Sequence, residues 1–159
     1  MSNPTDIRIS WDTDLMEGDF GFENNDLEHD DGLETAAIVS LFTDAKANAD
    51  DILPDPNRGN RGWWGDLVSG IEYDRIGSKL WLLERNKTTE ETLVRAKQYI
   101  LESLQWMIDD NITKKIEVEV ERAGTVVQPT LAFLVKIYKD TTTLNISFNQ
   151  QWEAQENAL

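Results

Sequence analysis

The chain has 159 residues, 40% of them hydrophobic, which is enough for one domain over 1–159 with a sizeable core; with no cysteine, a disulfide framework and a thiolate zinc site are excluded. Its net charge of −15 is uneven, because residues 1–60 carry 15 acidic and 3 basic side chains (−12) while 61–159 carry 15 and 12 (−3). Such a surface repels nucleic-acid phosphates and suits a basic protein partner; with no apolar run of membrane-span length and no signal-peptide character in MSNPTD, a soluble, cytoplasmically made protein without nucleic-acid or membrane partners is expected.

Ile7, Ile9 and Trp11 alternate with polar residues and predict a short strand, followed by a turn at Asp12–Asp14 and a second extended piece around Phe20 and Phe22. Glu23 to Asp31 is acidic and Asn-rich, so a solvated loop is expected. It fails as an EF-hand loop: with Gly32 at the sixth position, Leu27 and His29 fall where oxygen ligands are required. His29 is the only histidine, so no metal ligands and no Ser–His–Asp set are assigned.

Asp31 with Glu34 reads as a capped helix start, and Leu33, Ala37, Ile38, Leu41 and Phe42 form an apolar stripe that is expected to fade near Asn48. Asp50 to Asp66 is a long irregular stretch rich in Pro and Gly, without the Gly-Lys-Ser/Thr of a phosphate loop. Trp63 and Trp64 within it are expected to anchor the loop on the core, or else to serve as interface anchors. In the first case Trp64→Ala would cost about 3–5 kcal/mol.

Ser78 is placed to cap a short helix through Lys79–Arg85 that buries Leu80, Trp81 and Leu82 or Leu83. The longest helical signal follows, Thr88 to Asp110, with Thr88 and Glu91 as a capping box and Leu93, Ala96, Ile100, Leu104, Met107 and Ile108 on one face. Asp109 and Asp110 lie at the negative end of the helix dipole, where cations are favoured. Either Lys114 and Lys115 neutralise them, or this acidic corner meets a basic partner.

The period then switches from 3.6 to 2. Ile116, Val118 and Val120 alternate with glutamates; Leu131, Phe133, Val135 and Ile137 follow; Leu144, Ile146, Phe148 and Trp152 form the last run, and 153–159 is a loosely ordered tail. Short links make these strands an antiparallel meander. The expected fold is therefore α+β: a meander of three to four strands packed against a long core helix and a second, N-terminal helix. The last strand has no charge or proline to blunt its edge before Glu153, so either the strand at Ile7–Trp11 pairs with it or the edge is open to a partner.

No cofactor and no catalytic group is assigned. Glu84, beside Leu82 and Leu83, is the carboxylate with the most apolar neighbours, yet a surface ion pair with Arg85 is its simpler role. The competing classes are a lysozyme-type peptidoglycan hydrolase and a small-molecule binding module with a pocket near Trp63, Trp64 and Trp81.

DDGLETAAIVSLFTD, RGWWGD, GSKLWLLER and SLQWMIDD together resemble the Mu-type phage baseplate protein family, itself similar to small wedge proteins of contractile-tailed phages. The resemblance covers roughly residues 5–152 on a one-domain scale, and Gly62–Asp66 and Trp81–Arg85 are its most specific pieces. Those wedge proteins carry a Glu-Pro-Arg signature near the end of the main helix, where this chain has Asp109-Asp110-Asn111. The resemblance implies a non-enzymatic virion component that is assembled in the host cytoplasm. It would sit in the baseplate's inner ring around the tail tube, joining wedges and offering a sheet to the first sheath subunits. Its implied partners are other wedge proteins, tail sheath subunits and tube or hub proteins. The interface candidates are Trp63, Trp64, Arg85, Asp109, Asp110, Leu144, Ile146 and Phe148.

Overall fold

The computed structural model describes residues 6–12, 15, 17–30, 32–68, 75–84, 89–125, 129–139 and 143–151, with backbone alone at 29, 30, 58, 129 and 147–151. The turn residues Thr13, Asp14, Asp140 and Thr141, the helix-cap residues Asp31 and Thr88, Arg85, Trp152 and the tail lie outside these residues, as does the side chain of Phe148.

The N-terminal part is built from short antiparallel pairs. β1 (Asp6–Ile7) pairs with β6 (His29–Asp30), β2 (Ile9–Asp12) with β3 (Glu17–Phe20), and β4 (Phe22–Glu23) with β5 (Asp26–Leu27). The expected solvated loop at 23–31 is thus a hairpin and a return strand. Its turn is Asn24-Asn25, both at positive φ (52° and 66°), the two-residue geometry that follows the natural twist of a hairpin and that Asn tolerates. The expected strand at 7–11 is split at Arg8, whose N–H donates to Glu28 O at 2.8 Å.

α1 (Leu33–Phe42) starts from Gly32 in the left-handed region at φ 77°, with no side-chain cap. It ends at Phe42, earlier than the stripe suggested. Beyond Thr43 the backbone takes tertiary partners: Ser78 N–H donates to Thr43 O, Ala45 N–H to Ser78 O and Ala47 N–H to Asn60 O. Those bonds satisfy the groups that a longer helix would have paired internally. Ser78 Oγ accepts from Leu80 N–H at 3.1 Å and opens a 3₁₀ turn at Leu80–Leu83, all four of whose side chains are buried.

The long helix begins at Thr89 rather than Thr88: the Thr89 hydroxyl accepts from Thr92 N–H, and α2 (Glu90–Leu104) follows. At Gln105 the bonding tightens to an i→i−3 bond onto Glu102 O, and α3 (Trp106–Asp109) completes the rod. Asn111 at φ 60° turns the chain, while Ile112 and Thr113 N–H both donate to Met107 O, which ends the helix with its last carbonyls satisfied.

β7 (Lys115–Gly124), β8 (Pro129–Tyr138) and β9 (Thr143–Gln151) form the expected meander in the order β7-β8-β9, with Val118, Val135 and Ile146 in register. Its inner face meets Ala96, Ile100, Leu104 and Met107 of the long helix and Leu33, Ile38 and Leu41 of α1 in one apolar core. Trp11 lies on this core, its ring stacked on Phe42 at 3.6 Å between centroids. The fold is α+β.

Candidate functional site

Three places carry the sequence-predicted site residues, and the best built of them is the segment Arg61–Val68. Arg61 sits at φ 47°, and its side chain turns inward across the start of α1's exit loop. Its guanidinium donates from Nη1 and Nη2 to both oxygens of Glu84 (3.1 and 3.0 Å) and from Nη1 to Asp44 Oδ2 (2.8 Å). Its Cζ lies 4.6 Å from the centre of the Trp81 ring, a cation–π contact. Trp81 is buried and donates its Nε1–H to Ala45 O at 2.8 Å. One arginine therefore ties together the loop, the exit of α1 and the 3₁₀ turn.

The electrostatics follow. Burial raises the Asp44 carboxyl above its usual value, with Glu84 adding to this against the pull of Arg61. Burial works against the Arg61 cation, yet its bonds to Glu84 and Asp44 raise its pKa on balance. Glu84 pairs with Arg61, and its expected partner Arg85 lies outside the described residues. Nearby, Lys79 Nζ lies 2.6 Å from Asp51 Oδ2. Burial opposes ionisation of Asp51, but the Lys79 and Asn48 N–H bonds outweigh it and hold its pKa below the usual carboxylate value.

Next to this hub Trp63 folds back over Gly65 while Trp64 points away from the core. Trp63 is 37% exposed and Trp64 73%, and they are followed by Leu67 at 85% and Val68 at 72%. The expected burial of Trp64 is overturned: a 3₁₀ turn at Trp64–Leu67 turns its indole outward. Gly62 takes φ 109° over the Lys46 backbone, and a Cβ at Gly65 would lie 2.2 Å from the Trp63 ring. Only glycines let Trp63 fold down while Trp64 projects. The proposed ligand pocket of Trp63, Trp64 and Trp81 does not form as a unit, since the third indole is buried under Arg61 and the second is open to water.

At the second place, Asp109 and Asp110 are exposed at the end of α3. Asp109 Oδ1 accepts from Gln105 Nε2 at 2.9 Å, and Lys115 bonds Glu117. Asp110 lines one mouth of a groove of about 480 Å³ between α1 and the end of the long helix, where Arg75 and Asp6 also stand and Trp106 donates to Ser40 Oγ.

The third place is β9. Ile146 is 5% exposed and Leu144 packs against the core, so both contribute to folding through their side chains. What β9 offers outward is its backbone edge, because among the described residues no strand pairs with its far side. The N-terminal strands pair with one another instead.

Sequence reasoning missed Arg61 and Asp44. Their partners lie 17 and 23 residues away along the chain, so no local period marks them. The Arg beside Gly62 in RGWWGD was the only trace.

The family model described as Phage protein GP46 matches residues 33–143, a span that holds α1, the Arg61 hub, the Trp63–Val68 strip, the long helix, β7 and β8. The baseplate protein gp46 of Escherichia phage Mu is 42% identical over 119 residues, 74% of this chain and 78% of that protein. The Mu-like prophage FluMu protein gp46 of Haemophilus influenzae is 32% identical over 148 residues, 93% of this chain and 98% of that protein. With a family match over most of its length, and one relative aligned nearly end to end, the chain belongs to the phage protein GP46 family.

Proposed function

We infer that the chain is a structural component of a contractile phage tail baseplate. It acts as a small, single-domain inner wedge protein around the tail tube, supporting wedge joining and the first sheath subunits. The observation that carries this reading is the 42% identity, over 74% of the chain, to a protein named for the Mu baseplate. The geometry fits a scaffold better than an enzyme. The acid with the most apolar sequence neighbours, Glu84, has both oxygens engaged by Arg61 and is about 40% exposed. A wall hydrolase would need a carboxylic acid kept protonated beside its substrate. In this reading the partners are other wedge proteins, sheath subunits and tube or hub proteins; the site of action is the virion tail, after assembly in the host cytoplasm.

The sheath contact is assigned to β9, whose edge can accept an added strand through backbone bonds. Asn145 is exposed on that strand, opposite Lys136, and a lysine there blunts an edge without touching the core. Asn145→Lys is expected to melt like the parent while giving fewer sheathed tails in a phage complemented with it. Normal sheath growth in this variant removes β9 as the contact. Absence of the parent chain from purified tails removes the baseplate reading itself.

A further inference from the structure

The Arg61 hub holds more than a loop. Three backbone constraints converge within five residues: Arg61 at φ 47°, Gly62 at φ 109° and Gly65 roofed by the Trp63 ring. Each narrows the conformations open to the segment, and Arg61 is fixed by two carboxylates and an indole at its other end. What this rigid frame displays is apolar. Trp64, Leu67 and Val68 are each more than 70% exposed, and Trp63 leans on Trp64 with ring centroids 5.5 Å apart. Folding gains little from large side chains left in water, whereas an aromatic held rigidly before contact loses little entropy on binding.

The charge around the strip narrows the occupant. Two carboxylates, Asp44 and Glu84, share the single Arg61 cation behind the strip, Asp66 lies within it in sequence, and the whole chain carries −15. A second copy would bring the same charge, and an anionic membrane would repel it. An apolar pocket rimmed by lysine and arginine satisfies both features.

We propose that Trp64, Leu67 and Val68 form a preorganised anchor that seats in an apolar pocket of a neighbouring tail protein with a basic face. This rests on the baseplate reading, and it names the partner's chemistry and the residues that meet it. The Asp109–Asp110 corner lacks the same support, because nothing beyond its charge marks it.

The test uses the full-length chain, its Trp64→Ala/Leu67→Ser double variant, and the individually expressed tail proteins of the same phage as titrants. The double variant is expected to melt like the parent. One tail protein should bind the parent, bind the variant at least about thirtyfold more weakly, and lose affinity for the parent as NaCl is raised. Equal binding of parent and variant overturns the anchor while leaving the baseplate reading intact. Binding indifferent to salt overturns the basic face. Trp64-dependent self-association in sedimentation, or a Trp64-dependent blue shift on vesicles of phosphatidylcholine and phosphatidylglycerol, overturns the partner in favour of a second copy or a lipid surface. No binding by any tail protein, with the parent chain also absent from purified tails, removes the baseplate reading and the anchor with it.

Discussion

Arg61 shows how one side chain can set the geometry of a loop. A non-glycine residue at φ 47° carries a backbone cost of about 1 kcal/mol. The offset comes from its fork across Glu84, its bond to Asp44 and its stack on Trp81. Lysine keeps the charge but not the planar fork, so it cannot engage both Glu84 oxygens and Asp44 together. Since Glu84 and Asp44 are about two-fifths exposed, water screens part of each pair. Arg61→Lys is therefore expected to lower stability by about 1 kcal/mol in urea unfolding. An unchanged midpoint would mean that the loop holds its shape without the fork. Trp64 gives the contrast: an indole this exposed contributes to folding at the level of surface substitutions, about 0.5 kcal/mol or less, instead of the roughly 3–5 kcal/mol of a buried one. Trp81, the same residue type, is buried; only the three-dimensional path of the chain distinguishes the two.

At the scale of elements, helix termination is decided by a few backbone positions. Asn111 at φ 60° lets the chain leave α3 while Ile112 and Thr113 N–H satisfy Met107 O. Asn111→Ala puts a Cβ-bearing residue without a local polar group in the left-handed region and should cost about 1 kcal/mol, whereas Asn111→Gly should fold at least as well. Melting curves of the two variants check this, and equal losses in both would show that the Asn side chain, not the backbone angle, matters. The elements visible in the sequence are those that repeat a local period over many residues. Ala96, Ile100, Leu104 and Met107 mark the long helix, and Val118, Val135 and Ile146 mark the meander. The helix ends were less legible: Thr88 and Thr89 are equally good caps in composition, and α1 stops at Phe42 because Ser78 and Asn60 compete for the next backbone groups. Of the N-terminal pairs, β2 and β3 fall where the strand at Ile7–Trp11 and the extended piece around Phe20 were expected, whereas the hairpin at 22–27 was missed because two-residue strands have no period, although Asn24-Asn25 held the turn signal. Of the candidate site, RGWWGD was legible as special, but the direction of Trp64 depends on contacts to Asp44, Lys46 and Glu84 that no window along the chain contains.

Across the whole molecule, charge is the term that composition leaves least balanced. Thirty acidic residues face fifteen basic ones, and the first sixty residues hold −12 of the −15. The fold spends cations where the acids are densest: Arg8 bridges Glu28 and Glu34, Lys79 meets Asp51, and Arg61 is shared by Asp44 and Glu84. Two opposing effects of salt follow. Screening weakens these attractive pairs, but it also weakens the repulsion among the remaining carboxylates. The pairs are short-range and several are half-buried, so they are screened little, while the repulsion acts over distances comparable with the Debye length of about 8–10 Å at 0.1–0.15 M. Repulsion should therefore lose more. Raising NaCl from about 10 to about 150 mM is expected to raise the melting temperature by about 2–5 °C at neutral pH. A melting temperature that falls over the same range would show that the ion pairs outweigh the repulsion, and that the excess charge is too well dispersed to strain the fold. The same excess would then act only between molecules, as the field that draws in a basic partner.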